Sequence, residues 1–297
     1  MIDNKNRVEG TIVKGIGGFY YVRTEAGVIE CRARGKFRKN ELSPIVGDKV
    51  TAALNPDGSG QVVEIHERKN FLIRPGVSNV DKLVLVSAAK SPLPDMLLID
   101  KLLVIAESKG IECIICLNKT DLASYDEAKD FISVYEKASY PCILASAKTG
   151  EGVDEIQRLI KGKTVAFAGL SGVGKSSLLK RITGVDLETG NVSKIERGKH
   201  TTRHVELIDA ADALVFDTPG FSRLEADEIR ADELWQYFPE IADLQGECKF
   251  RTCNHVGEKG CAVKEALNSG AISQSRYDSY NTLFNKLKEI KDWERKD

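Results

Sequence analysis

Residues 166–180, AFAGLSGVGKSSLLK, carry the most informative motif of this chain. It holds the pattern G-x-x-x-x-G-K-S, which follows an apolar run and opens a helical pattern. Small residues let backbone N–H groups surround a phosphate, and the N-terminus of the following helix adds partial positive charge. We predict a nucleotide-binding loop in which Lys175 reaches the β- and γ-phosphates and the Ser176 hydroxyl binds Mg²⁺. The predicted phosphate-binding residues are Gly169, Leu170, Ser171, Gly172, Val173, Gly174, Lys175, Ser176 and Ser177.

A second polar segment lies upstream, where ICLNKTD ends an apolar run at residues 115–121. The Asp121 carboxylate can accept hydrogen bonds from N1–H and the 2-amino group of guanine, and adenine lacks this pair of donors. The segment therefore favours GTP over ATP, although it also suits a polar turn in which Asp121 caps a helix. Another apolar run ends in a Ser-Ala-Lys loop, at the place where a loop flanking the base is expected. The predicted base-binding residues are Asn118, Lys119, Thr120, Asp121, Ser146, Ala147 and Lys148.

A third segment, LVFDTPGF at residues 214–221, ends a further apolar run. Here Asp217 is placed to bind Mg²⁺ through water and the Gly220 N–H to meet the γ-phosphate, while an ordinary Pro-Gly turn is the alternative. The polar segment between this run and the phosphate loop suits a mobile switch. Either Thr201 or Thr202 can offer a second hydroxyl to Mg²⁺, and the sequence does not distinguish them.

The cysteines divide into two groups. Seven is an odd number, and in a long chain without a secretion signal it argues against a disulfide framework. Cys113 and Cys116 lie three apart in an apolar strand and so face opposite sides of it, and we expect them, with Cys31 and Cys142, to be structural. The remaining three join a histidine in C-x4-C-x-H-x5-C, which predicts a closed structural zinc site, with buried thiols as the alternative. The predicted zinc ligands are Cys248, Cys253, His255 and Cys261.

The chain as a whole reads as a multidomain α/β protein. Residues 1–66 show five short β-type runs, which predict an OB-type barrel, although an SH3-like barrel gives nearly the same pattern. Residues 67–227 alternate apolar strands with helical periods, which predicts a sheet covered by helices. Residues 228–297 are mostly helical and enclose the Cys/His segment. The chain has 297 residues and 42% hydrophobic residues, enough to bury a sizeable core.

Charge and hydropathy narrow the location and the partners. The polar N-terminus and the short, charged apolar runs such as LLIDKLLVIA predict a cytoplasmic protein with no membrane contact. The net charge of −1 says little about partners. A basic cluster lies in CRARGKFRKN, residues 31–40, and it is either a solvated loop or a nucleic-acid contact.

The order of the motifs carries a family resemblance. Relative to the usual GTPase order, the motifs occur as 4-5-1-2-3: the base segment, Ser-Ala-Lys, the phosphate loop, the switch threonines and Asp-Thr-Pro-Gly. The central region therefore resembles a circularly permuted GTPase. With a barrel before it and a Cys/His module after it, nearly the whole chain resembles the RsgA family of ribosome small-subunit-dependent GTPases. The resemblance implies GTP hydrolysis to GDP with Mg²⁺, one structural Zn²⁺, and binding to the small ribosomal subunit and its rRNA. It also implies a role late in small-subunit biogenesis, with hydrolysis stimulated by the subunit, and we expect a monomer.

The group that activates water is less clear from the sequence. Ras-like enzymes orient the attacking water with a Gln at the position where this chain has Phe221, so we expect slow intrinsic hydrolysis. His200 adjoins the switch threonines and is the preferred general base, with an exposed loop histidine as the alternative. Two other functions stay open: an ATP-using kinase or transferase, and a zinc-containing RNA-binding protein with GTP as a structural ligand.

Overall fold

The computed structural model describes residues 6–33, 37, 43–73, 75–184, 205–210, 212–217, 221, 224–291 and 295. The chain divides into two compact units. The first comprises Met1–Lys82, Ile160–Ala166 and Thr183–Phe221, and the second comprises Leu83–Leu159, Phe167–Ile182 and Ser222–Asp297. The three domains expected from the sequence, with boundaries after residues 66 and 227, stay a prediction.

The first unit contains a five-stranded barrel, as the sequence predicted. Its strands are β1 (Arg7–Ile16), β2 (Phe19–Thr24), β3 (Gly27–Ala33), β4 (Lys49–Leu54) and β5 (Gly60–Ile65). They lie in the order β1-β2-β3-β5-β4, and β4 pairs back with β1. Strands β3 and β5 pair in parallel, and this strand order is that of an OB-type Greek-key barrel. Alternating apolar residues fill its interior, among them Ile12, Val22, Val50 and Val62.

The same unit holds a second group of strands. The two-residue strands β6 (Phe71–Leu72) and β7 (Val77–Ser78) form a small antiparallel pair. A buried carboxylate organises this segment: Asp48 accepts hydrogen bonds from Arg68 at 2.7 and 2.8 Å and from the Ser78 hydroxyl at 2.6 Å. Further along the chain, β12 (Glu206–Ala210) pairs antiparallel with β13 (Ala213–Asp217) and also reaches β1.

In the second unit, neighbouring strands lie in the order β10-β9-β8, formed by Cys142–Leu144, Glu112–Asn118 and Lys82–Ala88. The strand β11 (Thr164–Ala168) runs into the phosphate loop. The accompanying helices are α1 (Met96–Ser108), α2 (Tyr125–Glu136), α3 (Val153–Ile160) and α4 (Lys175–Thr183). Both α1 and α2 begin where a side chain caps them, with Asp95 accepting from the Leu98 N–H and Ser124 forming a capping box with Glu127.

Cys113 and Cys116 are buried in β9 and Cys31 is buried in the barrel, which confirms their structural assignment, whereas Cys142 is only partly buried. Burial raises the pKa of the Cys116 thiol to about 12, as expected for an unreactive core residue.

The C-terminal part of the second unit is helical. It contains a 3-10 segment (Ala231–Tyr237), α5 (Pro239–Ala242), a 3-10 turn (Gln245–Glu247), α6 (Ala262–Asn268) and α7 (Gln274–Glu289). The apolar residues of α7 recur every three or four positions and are buried from Tyr277 to Leu287. Ser273 occupies the N-cap position, although its side chain accepts no capping hydrogen bond. Of the helices in the described ranges, none combines the length and hydropathy that crossing a bilayer requires.

Candidate functional site

Three glycines with left-handed or otherwise unusual backbone angles shape the phosphate loop. Gly169, Gly172 and Gly174 have φ angles of 141°, 82° and 88°, a backbone region that side chains rarely adopt. A Cβ on Gly169 would lie 2.0 Å from the carbonyl oxygen of Val86, and one on Gly174 would lie 2.5 Å from Nδ2 of Asn118. The loop can therefore pass close to its neighbours only because these side chains are missing.

The loop leads directly into α4, which begins at Lys175. The N–H groups of a helix's first turn have no partners within the helix, so they are available to an anion. The ammonium of Lys175 is held inside the loop by the carbonyl oxygens of Gly169 at 2.7 Å and Leu170 at 2.6 Å. Burial lowers the pKa of Lys175, because it removes the ammonium from water and so disfavours the charged form.

The base segment contacts the phosphate loop through two side chains. Asn118 is buried, and its Nδ2 donates to the carbonyl of Val173 at 2.8 Å. Its Oδ1 accepts the Ala147 N–H at 3.0 Å, so one amide connects both predicted base loops to the phosphate loop. Lys119 adopts a left-handed backbone conformation with φ of 62°, and its ammonium donates to the carbonyl of Gly172 at 2.6 Å and to that of Ser91.

The carboxylate of Asp121 is held in an ionised, accepting state. The Ser146 hydroxyl donates to its Oδ1 at 2.7 Å, and the ammonium of Lys148 lies 3.5 Å from its Oδ2. The Ser146 hydrogen bond, assisted by Lys148, lowers the pKa of Asp121. Thr120 supports the turn by donating to the carbonyl of Ala145 at 3.0 Å. The structure thus brings together all the predicted base-binding residues and the predicted phosphate loop.

One residue beside this site was missed by the sequence analysis. Arg181, in the last turn of α4, donates from Nε to the carbonyl of Ala147 at 3.0 Å and from Nη2 to that of Lys148 at 2.8 Å. A basic residue at a helix C-terminus is common, because it complements the helix dipole, so no local signal indicates that this one reaches another loop.

The predicted catalytic residues lie mostly outside the described part of the chain. His200, Thr201, Thr202 and Gly220 lie outside the described residues. Asp217 is the last residue of β13 in the first unit, and its side chain is likewise outside the description. Phe221 is buried, with its ring centroid 6.3 Å from that of Phe216.

The four predicted zinc ligands converge. Their ligand atoms all lie within 4.8 Å of one another, and three of the four residues are buried. Nδ1 of His255 is 3.5 Å from Sγ of Cys248 and 3.5 Å from Sγ of Cys261. A tetrahedral zinc ion with Zn–S of about 2.3 Å and Zn–N of about 2.0–2.1 Å separates sulfur from nitrogen by about 3.5 Å. The donor set and its spacing therefore fit zinc, which would bind through Nδ1 of the imidazole.

The loop around these ligands is fixed to the last described helix. The hydroxyls of Tyr277 and Tyr280 donate to the carbonyls of His255 and Asn254, both at 2.7 Å. The carboxylate of Glu258 accepts three backbone N–H groups of the same loop at 2.9 to 3.0 Å. With all four ligand positions supplied by protein, bound zinc would be structural.

The comparisons with known proteins agree with this geometry. The RsgA GTPase family matches residues 65–227, and the RsgA N-terminal domain matches residues 9–62. A relative from Caldanaerobacter subterraneus subsp. tengcongensis, named small ribosomal subunit biogenesis GTPase RsgA, is 47% identical over 95% of this chain and 97% of its own length. The chain belongs to the RsgA GTPase family. A second RsgA relative, from Alkaliphilus metalliredigens, is 44% identical over 94% of this chain and 98% of its own.

Solved structures of the family support the same assignment. YjeQ from Thermotoga maritima has a TM-score of 0.83 and 39% identity, covering 96% of this chain and 100% of that one. YloQ, described as a circularly permuted GTPase, has a TM-score of 0.81 and 40% identity, covering 96% of both chains. The predicted fold class, a barrel followed by a permuted GTPase and a Cys/His module, is confirmed. Family membership also makes the protein a GTP hydrolase whose substrate is a guanine nucleotide.

Proposed function

We propose that this GTPase acts late in the biogenesis of the small ribosomal subunit and that the subunit, bound through its rRNA, stimulates hydrolysis. The relatives named as small ribosomal subunit biogenesis GTPases support the subunit as partner. We further propose that the protein works as a monomer in the cytoplasm. The barrel and the basic segment at residues 31–40 would contact rRNA by phosphate attraction, so that binding weakens as salt rises.

A single observation carries the proposed nucleotide site. Asn118 and Lys119 reach the carbonyls of the phosphate loop, while Asp121 is turned toward Ser146 on the neighbouring loop. These contacts between the predicted base-binding and phosphate-binding residues of the second unit support a single nucleotide site. In this site Asp121 would accept N1–H and the 2-amino group of guanine, with the stem of Lys119 lying over the base.

At the other end of the site, the N–H groups at the start of α4 and the ammonium of Lys175 would bind the β- and γ-phosphates. Mg²⁺, held by the Ser176 hydroxyl, would neutralise charge on the phosphate oxygens. Asp217, Gly220 and one of the switch threonines would complete this end, and His200 would handle the proton of the attacking water. Phe221 cannot orient water, which supports a slow intrinsic rate and completion of the site by a partner.

The site assignment is tested by changing the base that it accepts. In Asp121→Asn, the amide keeps an oxygen acceptor but gains a donor, which suits the 2-oxo group of xanthine rather than the 2-amino group of guanine. We expect GTP turnover to be lost and XTP turnover to appear. Lys175→Ala is the control that should lose both. If Asp121→Asn retains its preference for GTP, Asp121 does not read the base.

The partner is tested by measuring multiple-turnover GTP hydrolysis with and without purified small ribosomal subunits, over a series of salt concentrations. Stimulation that declines with salt is the expected result. His200→Ala should lose the stimulated rate, and unchanged turnover would remove His200 from the mechanism. Hydrolysis that stays at the same low rate with subunits would instead favour the alternative in which GTP is a structural ligand of an RNA-binding protein.

A further inference from the structure

Arg181 joins the helix that starts at the phosphate loop to the loop that flanks the predicted base site. Its guanidinium donates to two successive carbonyls of that loop, those of Ala147 at 3.0 Å and Lys148 at 2.8 Å. An arginine that merely ends a helix bonds the carbonyls of its own last turn. Here both acceptors lie 34 and 33 positions away along the sequence, so the interaction fixes a second segment rather than the helix itself.

The two hydrogen bonds also determine where the loop's N–H groups point. In a trans peptide, the C=O and the following N–H point in opposite directions. Because the carbonyl of Ala147 is turned toward Arg181, the N–H of Lys148 is turned away from it. The N–H of Ala147 is bound to Asn118 and that of Thr149 to Ser146, whereas the N–H of Lys148 has no acceptor among the described residues.

An N–H donor at this position suits one atom of guanine. Asp121 would accept the N1–H and the 2-amino group, and O6 is the acceptor next to N1–H on the same edge. The loop that carries Lys148 contacts Asp121 through both Ser146 and the Lys148 ammonium. Its open backbone donor is therefore on the segment nearest to that edge.

We propose that Arg181 is a positioning residue for guanine selectivity, which holds the Ser146–Lys148 loop so that the Lys148 N–H meets O6. The proposal rests on the nucleotide site described under the proposed function. Arg181 touches neither the base nor the phosphates in this scheme. It acts through the loop, and its planar fork suits two carbonyls better than a single ammonium does.

The test compares affinities for GDP and 6-thio-GDP in the full-length protein. The thio analogue keeps N1–H and the 2-amino group but presents a weak sulfur acceptor in place of O6. We expect Arg181→Ala to bind GDP about tenfold more weakly, which corresponds to about 1.4 kcal/mol. Its affinity for 6-thio-GDP should change little, so the preference for GDP over the analogue falls by the same factor. Turnover at saturating GTP should stay as in the unmodified protein, with the effect confined to KM.

Two further variants separate positioning from general stabilisation. Arg181→Lys should recover part of the preference, because one ammonium can still reach one carbonyl. Arg158→Ala is the matched control, since this exposed arginine of α3 pairs only loosely with Glu155 at 3.4 Å and does not contact the Ser146–Lys148 loop. It should leave both affinities unchanged.

The outcomes are distinguishable. An equal loss of affinity for both ligands in Arg181→Ala would overturn the proposal, because a merely structural role predicts that pattern. No loss for either ligand would overturn it as well. If the unmodified protein binds ADP as tightly as GDP, the proposed nucleotide site itself is wrong, and the proposal for Arg181 falls with it. If the unmodified protein selects GDP and Arg181→Ala keeps the full preference over 6-thio-GDP, only the role of Arg181 is wrong.

Discussion

Replacing Arg276 by methionine should destabilise the second unit more than any change to a surface charge. Arg276 on α7 is 1% exposed and donates to Asp100 on α1 at 2.8 Å and to Glu240 on α5 at 2.7 and 3.1 Å. Its guanidinium also lies 4.5 Å from the centre of the Phe238 ring. Methionine fills much of the same volume, so the main effect is electrostatic, because two carboxylates lose their counter-charge.

The size of the loss follows from the burial of Asp100, which is 0% exposed. Removing one partner of a buried ion pair costs about 3–5 kcal/mol, because the other charge is left uncompensated. Burial raises the pKa of Asp100 even beside Arg276 and the Ser279 hydroxyl, which oppose the rise. Without the arginine this pKa should rise further. A carboxyl group whose pKa is raised in the folded state binds its proton more readily there, so folding becomes relatively more favourable as the pH falls. The loss of stability in Arg276→Met should therefore narrow as the pH falls below neutrality.

Urea unfolding followed by tryptophan fluorescence measures this effect, because Trp235 lies in the 3-10 segment of the same unit. An unchanged m-value would show that the same transition is compared. Lys286→Met is the matched control on α7, where the exposed ammonium lies 3.3 Å from Glu225, and it should cost about 0.5 kcal/mol or less. Adding Asp100→Asn to Arg276→Met should restore part of the loss. If Arg276→Met is within about 1 kcal/mol of the control, the buried network is not what joins α7 to α1.

Three more outcomes can be measured. Gly169→Ala should abolish nucleotide binding, since its Cβ would lie 2.0 Å from the Val86 carbonyl oxygen. The control Gly162→Ala, at a φ of 70° with no atom within 4 Å, should cost at most about 1 kcal/mol of stability and leave the affinity for GDP intact. Equal losses of GDP affinity in the two variants, measured by equilibrium binding, would contradict the loop geometry. Chelating zinc should make three thiols react fast in an Ellman titration, those of Cys248, Cys253 and Cys261, because loss of the ion frees the loop that carries them while Cys113 and Cys116 stay buried in β9. A gain of more than three would mean that the core opens too. The ratio of GDP to IDP affinities should stay constant from pH 8 down to pH 5. The reason is that the pKa of Asp121 is held below its ordinary value of about 3.9, so the carboxylate loses its charge only at still lower pH. A ratio that falls near pH 6 would show that Asp121 does not bind the 2-amino group.

The sequence predicted those parts of the molecule in which local pattern and final structure agree. The five barrel strands alternate apolar and polar residues between clear turn residues, and the phosphate loop has glycines where the backbone must be left-handed. The four predicted zinc ligands converge as expected, because residue type and short spacing are enough to bring four donors together.

The missed features depend on contacts between distant segments. Asp48 is one charged residue among many in the sequence, and only the fold shows that it is buried and bound by Arg68 and Ser78. The segment that forms β12 is interrupted by the charged residues Glu206 and Asp209, so its sequence pattern does not indicate a strand. Only its pairing with β13 and β1 shows that it is one. Arg181 and Arg276 are likewise ordinary helix residues until their partners, 34 and 176 positions away, are known.

The 176 positions between Asp100 and Arg276 affect how the protein folds during synthesis. While the ribosome synthesises the chain, the segments that carry Asp121 and Lys175 emerge well before Arg276, which follows Asp100 by 176 positions. Until Arg276 is synthesised, the carboxylate of Asp100, which is buried in the folded protein, lacks this ion-pair partner. A polypeptide released before Arg276 would carry every predicted guanine-binding residue but leave the buried Asp100 without its ion-pair partner, so we expect it to be less stable than the full chain and more readily removed by proteases.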